Sequence, residues 1–420
     1  MRTNVEYMLA VRTARHDRGS RAAVMMRIAS LSTALGIAVM ILTLAVVAGF
    51  RHEISDDLRG LAGDIQVIDV SGWGRSDSDP MPLSDSLLER LRRSEHVLSV
   101  APYAVAGCMV KSGDRVAGLR FKGVGDGFDE AWWRAKLVEG ELPDVRSAER
   151  RKELLISRAT ARSLRVGVGD KIEALFLDEG DAPHRDRYKV AGIYHTGFEE
   201  LDGVMAVADL RDVRKSASWG DDEITGYEIV LDDPSRADAA AERIDALLED
   251  AFYDGDEIAG ECVATTLEMR YPVIYDWLKA HGVNARVIIF IMTVVALFNM
   301  ASAMLIMVLD RTGMIGTLKA AGMRNAAIRR IFLWRAAMLF VRGAAWGNAV
   351  GLGLAAAQAV FRPVTLNPSG YMLSALPVRV ELWWWAALNA GALAVTVAAM
   401  WLPSMIVARI SPEESLKYKQ

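Results

Sequence analysis

The sequence predicts a membrane α-helical protein with four transmembrane helices and a large extracytoplasmic α+β domain inserted between the first and second helices. Three observations predict this fold class. The chain has 420 residues, of which 52% are hydrophobic, and a positive mean hydropathy of +0.17 despite 24% charged residues. This composition is more apolar than that of ordinary soluble proteins. The apolar residues are concentrated in four long runs, and a long acidic segment separates the first run from the second.

Net charge and cysteine content exclude several function classes. The 49 Lys and Arg side chains are balanced by 53 Asp and Glu side chains. The net charge of −4 therefore lacks the excess of basic residues that is typical of nucleic-acid-binding proteins. The two cysteines, Cys108 and Cys262, are too few for a disulfide-scaffolded module or a cysteine-rich zinc or iron–sulfur site. Whether these two thiols pair stays open here, because pairing requires that the fold bring them together.

The apolar runs predict transmembrane helices at residues 29–50, 287–309, 336–361 and 382–408. Each run reaches the roughly 20 residues that a helix needs to cross the hydrocarbon core. The third run contains one charge, Arg342, which is close enough to the basic end for its side chain to reach the headgroups. The first run is too long for the apolar part of a cleaved signal peptide, and no small-x-small motif follows it, so it is predicted to be a retained anchor.

Basic residues beside the spans predict the orientation of the chain. The N-terminal segment 1–28 contains six arginines and two acidic residues, and segment 310–335 contains five arginines and a lysine against one aspartate. The positive-inside rule therefore places both segments, and with them the tail 409–420, in the cytoplasm. Segment 51–282, which has 30 basic and 47 acidic side chains, and the short loop 362–381 are then on the outer side.

Segment 51–282 has the residue patterns of an α+β domain and is large enough for two subdomains. Stretches rich in β-branched residues with polar flanks predict strands, and stretches with a helical spacing of apolar residues predict helices. The predicted strands are 64–70, 97–103, 115–124, 153–156, 171–177, 188–194, 204–207, 227–231 and 261–265. The predicted helices are 85–93, 158–164 and 236–251.

Both borders of this domain predict stalk helices, at about 51–63 and 266–282, which continue the first and second spans outward. Apolar residues recur there at helical intervals, from Phe50 to Leu61 and from Leu267 to Leu278. A stalk of this kind either carries a rigid-body movement or only supports the domain by packing. The sequence pattern leaves both roles open.

The chain shows no pattern that predicts catalysis. It contains no G-x-x-x-x-G-K-[ST] loop, no G-x-S-x-G and no H-E-x-x-H, and its six histidines do not have metal-ligand spacing. The acidic run that contains Glu199, Glu200 and Asp202 is interpreted as a solvated turn.

The membrane segments predict close helix packing rather than an ion path. Gly343, Gly347 and Gly351 recur every four residues and predict a smooth helix face. Polar residues are few in the spans, whereas an ion or proton pathway needs buried carboxylates or histidines. In the basic segment 310–335, apolar residues from Ile315 to Phe332 predict short helices that lie on the membrane surface or bind a partner.

That basic segment also carries a family resemblance. Residues 311–323 (RTGMIGTLKAAGM), followed by residues 328–332 (IRRIF), resemble the signature after the second span of the ABC permease superfamily that includes MacB-type and FtsX-type proteins. Within that superfamily the chain most resembles the lipoprotein-releasing (Lol) transmembrane subunits, in the order and spacing of segments over nearly its whole length. The matching segments are 28–32, 47–50, 58–62, 100–103, 118–123, 153–157, 167–171, 191–202, 275–278, 366–377 and 403–418.

The resemblance implies a bacterial inner-membrane complex of two permease subunits, identical or paired with a paralogue, and a dimer of ABC ATPase subunits. This chain would be a non-catalytic subunit without a cofactor of its own, and the ATPase partner would use ATP and Mg. The complex would extract a lipoprotein substrate from the surrounding membrane lipids and pass it to a periplasmic lipoprotein carrier. The large domain would be periplasmic, with both termini cytoplasmic.

The resemblance also implies three sites. ATPase coupling is expected at Arg311, Met314, Ile315, Gly316, Leu318, Lys319, Gly322 and Met323. Met314 stands where the superfamily usually has an acidic residue, so Asp310 or Lys319 would supply the charged contact. A substrate path between the first two spans is expected along Leu42, Val46, Phe50 and Ile306. Carrier docking is expected in loop 178–187, at Asp178, Glu179, Pro183 and Arg187, although this loop is shorter and more acidic than the hairpin of one Lol subunit type; a plain hairpin turn is the alternative.

Two other functions within the superfamily stay open. An FtsX-type subunit would activate a cell-wall hydrolase, although such proteins have smaller exported domains. A MacB-type efflux permease would usually carry its ATPase on the same chain, and this chain has no P-loop.

Overall fold

A computed structural model describes residues 5–16, 21–72, 80–147, 149–176, 184–367 and 373–401. These residues form two compact units. The helical unit comprises the described residues of 1–52, 278–364 and 376–420. The sheet unit comprises those of 53–277 and 365–375.

The elements below are numbered in chain order. The helices are α1 (Val5–His16), α2 (Arg21–Ala62), α3 (Asp85–Arg92), α4 (Glu130–Lys136), α5 (Arg158–Leu164), α6 (Glu199–Asp202), α7 (Leu210–Ser216), α8 (Ala237–Tyr253), α9 (Leu267–Arg270), α10 (Pro272–Asp310), α11 (Thr312–Ala320), α12 (Asn325–Phe361) and α13 (Leu382–Ala399). The strands are β1 (Ile65–Asp69), β2 (Met81–Pro82), β3 (Val97–Ser112), β4 (Arg115–Val124), β5 (Leu137–Gly140), β6 (Glu153–Ser157), β7 (Lys171–Phe176), β8 (His184–Tyr194), β9 (Met205–Asp209), β10 (Glu223–Ile224), β11 (Gly226–Leu231) and β12 (Cys262–Thr266).

Four of these helices, α2, α10, α12 and α13, are long and apolar enough to cross a membrane. α2, α10 and α12 contain the first three apolar runs, and α13 covers residues 382–399 of the fourth. The strands of the sheet unit lie between α2 and α10 in the sequence. The last part of the fourth predicted span, residues 402–408, and the tail 409–420 lie outside the described residues.

The first two spanning helices extend beyond their apolar runs. α2 ends at Ala62, where the next residue, Gly63, adopts a left-handed φ of +71° that terminates the helix. α10 begins at Pro272, a position where proline loses no helical hydrogen bond. The second predicted stalk therefore differs from the structure: the short helix α9 is separate from α10, because Tyr271 between them has φ −121° and ψ 56°, outside the helical region.

The sheet unit contains a ten-stranded sheet that closes on itself. Its strands follow the order β12-β1-β11-β3-β4-β9-β6-β8-β5, and β7 pairs with both β3 and β8. The strands β3, β4, β9, β6, β8 and β7 thus form a barrel-like ring. The β4–β9 and β6–β8 pairs are parallel, and the other pairs of the ring are antiparallel.

The long strand β3 allows one sheet to serve two hydrophobic cores. Its first half pairs with β11 and its second half with β7. Inside the ring, the Phe121 ring makes edge contacts with Phe176 and Tyr188, at centroid distances of 5.5 and 5.1 Å. A second core lies between β1, β11 and β12 and the helices α3 and α8. Burial of apolar side chains in these two cores is the main favourable contribution to folding of this unit.

All nine predicted strands and all three predicted helices of this domain are confirmed, two with the predicted ends and the others with ends shifted. The elements β2, β5, β10, α4, α6 and α7, of two to seven residues, were not predicted, and α9 lies within the second predicted stalk. The sequence predicted a plain α+β alternation, and the closed ring corrects it. Closure depends on pairing between β3 and β7, which are distant in sequence, and a local pattern does not specify such pairing.

Candidate functional site

Within the helical unit, α12 packs on α2 through its glycine face. Gly343, Gly347 and Gly351 are all buried. A Cβ atom added to Gly347 would lie 2.6 Å from the carbonyl oxygen of Ala34 and 2.9 Å from the Cβ of Ile37. The absence of side chains at these positions therefore lets the two helix backbones approach closely, which is the packing predicted for this stripe.

Hydrogen bonds between polar side chains add two further links among the spanning helices. Asn299 of α10 donates its Nδ2 to the Ser32 hydroxyl of α2, at 2.5 Å. Asn348 of α12 and Asn389 of α13 bond each other at 2.7 and 3.1 Å, and the Trp385 Nε1 donates to the Asn348 Oδ1. These groups satisfy one another and hold helices together, as polar groups commonly do in a membrane.

The helix α11 contacts the helical core with the side that carries most of the expected ATPase contacts. Ile315 is fully buried, and Gly316 is buried beside it. Met314, Leu318 and Met323 pack against the core that α2, α10 and α12 form. These five residues therefore hold α11 in place, and the first two are inaccessible to a partner.

The accessible side of α11 consists of small residues that the sequence analysis did not select. Gly313, Thr317 and Ala320 are exposed, at a spacing of four and three residues. That spacing of small residues in a basic segment is the signal that identifies this face. Of the remaining expected contacts, Arg311 and Lys319 are half-buried, and Gly322 is exposed in the turn after the helix, with φ +85°.

The four residues expected on the substrate path are partly or fully covered in the helical unit. Leu42, Val46 and Ile306 are half-buried, and Phe50 is 5% exposed with its ring 6.4 Å from that of His281. None of the four is among the described residues that line the cavity between α2, α10 and α13.

A cavity of about 570 Å³ lies instead between α2, α10 and α13. On α2 it is lined by residues that include Ile41, Ala45 and Ala48. Leu42 and Val46 lie on a different face of the same helix, because successive residues are rotated by about 100° around a helix axis with 3.6 residues per turn. An apolar space therefore lies beside the first two spans on another face of α2, and the substrate path along the four residues stays a prediction.

In the sheet unit, buried polar contacts hold the last turns of α2. The Lys136 Nζ lies 2.5 Å from the Asp57 Oδ1, whose side chain is 2% exposed. The Lys122 Nζ donates to the Leu61 carbonyl and lies 2.7 Å from the Glu228 Oε2. Removal of either partner of such a buried pair leaves an uncompensated charge, so these contacts fix the end of α2 in this unit.

Asp202, at the end of the acidic run 199–202, is not in the solvated turn that the sequence predicted. The run forms the short helix α6, and Asp202 is only 1% exposed. The Asp202 carboxylate accepts hydrogen bonds from the Thr196 hydroxyl at 2.7 Å and from the Thr196 N–H at 3.1 Å, and His195 Nδ1 lies 3.2 Å away. Burial raises the pKa of Asp202 above its usual value, and these bonds oppose that rise.

Most of the expected carrier-docking loop lies outside the described residues, including Asp178, Glu179 and Pro183. Arg187 is described: it is exposed on β8, and its guanidinium lies 2.6 Å from the Glu173 Oε1. Both cysteines are free thiols, which answers the open question about their pairing. Among the described residues, no group of three or more His, Cys, Asp and Glu side chains is placed to hold a metal ion.

The sequence matches two protein families. Residues 28–247 match the MacB-like periplasmic core domain, and residues 286–412 match the FtsX-like permease C-terminal family. The lipoprotein-releasing system transmembrane protein LolC of Xylella fastidiosa (strain 9a5c) is 24% identical over 404 residues, covering 93% of this chain and 92% of its own length. The corresponding protein LolE of Haemophilus influenzae (strain Rd) is 24% identical over 442 residues, covering 96% and 97%. The solved periplasmic region of MacB from Actinobacillus actinomycetemcomitans is 14% identical, covers 52% of this chain and 95% of its own, and superposes with a TM-score of 0.36.

Proposed function

This chain belongs to the MacB-like periplasmic core domain family and is an ABC transporter permease of the FtsX, MacB and Lol type, and from that premise we propose that it releases lipoproteins from the inner membrane. The observation that carries the proposal is the end-to-end match to LolC and LolE, which covers over nine tenths of this chain and of each relative. A match of that extent includes the spans, the large domain and the basic segment together.

The walls of the spanning helices suit a lipid-anchored substrate. Asn299, Asn348 and Asn389 of the predicted spans are engaged in hydrogen bonds between or within helices. Apart from Arg342, the four apolar runs carry no charged side chain up to residue 401, and acyl chains need apolar walls rather than charged groups. The lipid anchor of a lipoprotein is therefore a chemically suitable cargo for this membrane region.

A separate ATPase dimer that uses ATP and Mg would drive the movement of the permease. We expect it to press on the exposed side of α11, at Gly313, Thr317 and Ala320, while the buried side transmits the force into the helical core. The buried contacts of Asp57 and Leu61 would make the end of α2 a mechanical stalk rather than a passive support. The working complex would contain two permease subunits, identical or paralogous, and a periplasmic carrier would receive the lipoprotein.

The proposal is tested by depleting the protein in its native bacterium, separating inner and outer membranes, and quantifying lipoproteins in each. Accumulation of outer-membrane lipoproteins in the inner membrane is the expected result. Normal lipoprotein sorting would contradict the proposal. If it came with a division defect, it would favour an FtsX-type role; if it came with drug sensitivity, it would favour efflux.

A matched pair of variants in the same depletion strain tests the coupling surface. Thr317→Trp places a bulky side chain on the exposed side of α11 and is expected to reduce lipoprotein release at an unchanged protein level. Thr317→Ser keeps the size and the hydroxyl, and release is expected to be normal. Equal release by both variants would remove this face of α11 from the ATPase contact.

A further inference from the structure

The cavity between α2, α10 and α13 has a chemical character that the transport proposal does not use. Its walls are mainly aliphatic, and two tryptophans of α13, Trp384 and Trp385, contribute to them. Its volume of about 570 Å³ is within the usual range of ligand pockets, roughly 300–1,000 Å³. The cavity lies within the helical unit and therefore belongs to one compact unit.

Close backbone packing builds one wall of this cavity. The segment before α13 crosses α2 at Gly49, where an added Cβ atom would lie 2.6 Å from the carbonyl carbon of Pro377. Two residues later, the Arg379 N–H donates to the Ala45 carbonyl oxygen at 2.9 Å. The glycine thus permits an approach that brings the Arg379 side chain to the cavity.

Three arginines and one glutamate contribute the charge of the lining: Arg51, Arg286, Arg379 and Glu381. All four are exposed, and within the described residues none of the three guanidinium groups forms an ion pair. The charge at the cavity is therefore positive, in a chain that is negative overall. A positive rim above apolar walls is complementary to a ligand that joins an anionic group to hydrocarbon chains.

The positions of these arginines match the depth of lipid headgroups. Arg51 directly follows the first apolar run, Arg286 directly precedes the second, and Arg379 lies three residues before the fourth. The first run ends, and the second and fourth runs begin, on the predicted outer side of the membrane, so the three positions fall at the same membrane face. Tryptophans are also enriched at that depth, where their rings are apolar and their N–H groups meet water.

We propose that this cavity holds an anionic phospholipid, with its phosphate on the three arginines and an acyl chain along α2, α10 and α13. A free phosphate ion would leave the apolar walls unexplained. The lipid anchor of a triacylated lipoprotein carries no phosphate, so the arginines favour a resident membrane lipid over the cargo. This proposal stands whether or not the transported substrate is a lipoprotein.

The test uses the purified, delipidated full-length chain in detergent and native mass spectrometry with phosphatidylglycerol or phosphatidylcholine of the same acyl chains. The wild-type chain is expected to retain one phosphatidylglycerol at a concentration where phosphatidylcholine is lost. In the triple variant Arg51→Gln, Arg286→Gln, Arg379→Gln, retention is expected to need at least about tenfold more lipid, because each basic group contributes to attraction of an anionic lipid. The matched control is Arg342→Gln on α12, which does not line the cavity and is expected to behave as wild type.

Quenching measurements on the unmodified chain keep the test valid even if the triple variant fails to fold. Phosphatidylglycerol with brominated chains is expected to quench tryptophan fluorescence at lower concentrations than brominated phosphatidylcholine, and Trp384→Phe is expected to reduce the difference. Equal retention and quenching by the two lipids would overturn the proposal.

Two further experiments test whether the cavity is occupied by something other than a phospholipid. Displacement of the lipid by an equal concentration of a neutral triacyl lipopeptide would make the cavity a substrate site and overturn the proposal. Efficient disulfide cross-linking of Ala387→Cys between two copies in native membranes would show that a second subunit covers the cavity, and this result would also overturn the proposal.

Discussion

The contact of α12 with α2 makes a graded prediction about glycine-to-alanine substitutions in one helix. The nearest atom to an added Cβ is the Ala34 carbonyl oxygen at 2.6 Å for Gly347, and the Ala38 Cα at 3.1 Å for Gly351. For Gly353 no atom lies within 4 Å. The same methyl group is therefore added to a tight contact, a marginal contact and open space.

The magnitude follows from two opposing contributions. Replacing a glycine inside a helix by alanine stabilises the helix by about 0.5–1 kcal/mol at any of the three positions. Overpacking a close contact costs about 1–3 kcal/mol, and the clash at Gly347 is with backbone, which cannot rotate away. Because the helix contribution is the same in both variants, Gly347→Ala is expected to be less stable than Gly353→Ala by about 1–3 kcal/mol.

The assay is unfolding of the purified chain in detergent micelles, followed by circular dichroism during titration with a denaturing detergent. Gly353→Ala is the control and is expected to equal or exceed wild type, with Gly351→Ala between the two. If Gly347→Ala proved as stable as Gly353→Ala, the close approach of α12 to α2 would be refuted.

Three further predictions concern packing, pH and the thiols. Ile315→Ala removes a fully buried side chain of α11 and is expected to destabilise the chain by about 2–5 kcal/mol in the same unfolding assay, whereas exposed Thr317→Ala is expected to change stability by no more than about 0.5 kcal/mol; equal effects would contradict the inward orientation of Ile315. Because the pKa of Asp202 is raised in the fold, its contribution to stability is present at low pH and is lost as pH rises through the folded pKa. Lowering the pH from 7 towards 3.8, the ordinary pKa of an aspartate, is therefore expected to raise the unfolding temperature of wild type relative to that of Asp202→Asn, and parallel pH profiles would contradict this. Burial raises the pKa of Cys108 and of Cys262 to about 12, so we expect negligible alkylation by iodoacetamide at pH 8 before unfolding and no effect of a reductant on the unfolding temperature; rapid labelling of the folded chain or a reductant-sensitive transition would overturn this assignment.

Residues near one another in the sequence were sufficient to predict the spans and most strands. A spanning helix satisfies its own backbone hydrogen bonds, so its apolar run is a local property that composition reveals. The nine strands likewise showed β-branched residues between polar flanks. The stripe of Gly343, Gly347 and Gly351 identified a packing face by its spacing alone, although the sequence could not name α2 as its partner.

The tertiary structure decided every feature that depends on which distant segments meet. The ring closes because β7 pairs with β3, and Asp202 is buried because Thr196 and other neighbours surround it in the fold. The inward side of α11 could not be predicted, since apolar residues in a basic segment suit a partner as well as a core. Arg51, Arg286 and Arg379 are scattered through the sequence as ordinary flanking charges, and only the packing of α2, α10 and α13 brings them to one cavity. The local sequence pattern of a segment indicates its secondary structure and whether it is exposed to lipid or to water. Contacts between segments depend on long-range packing, which no single segment encodes.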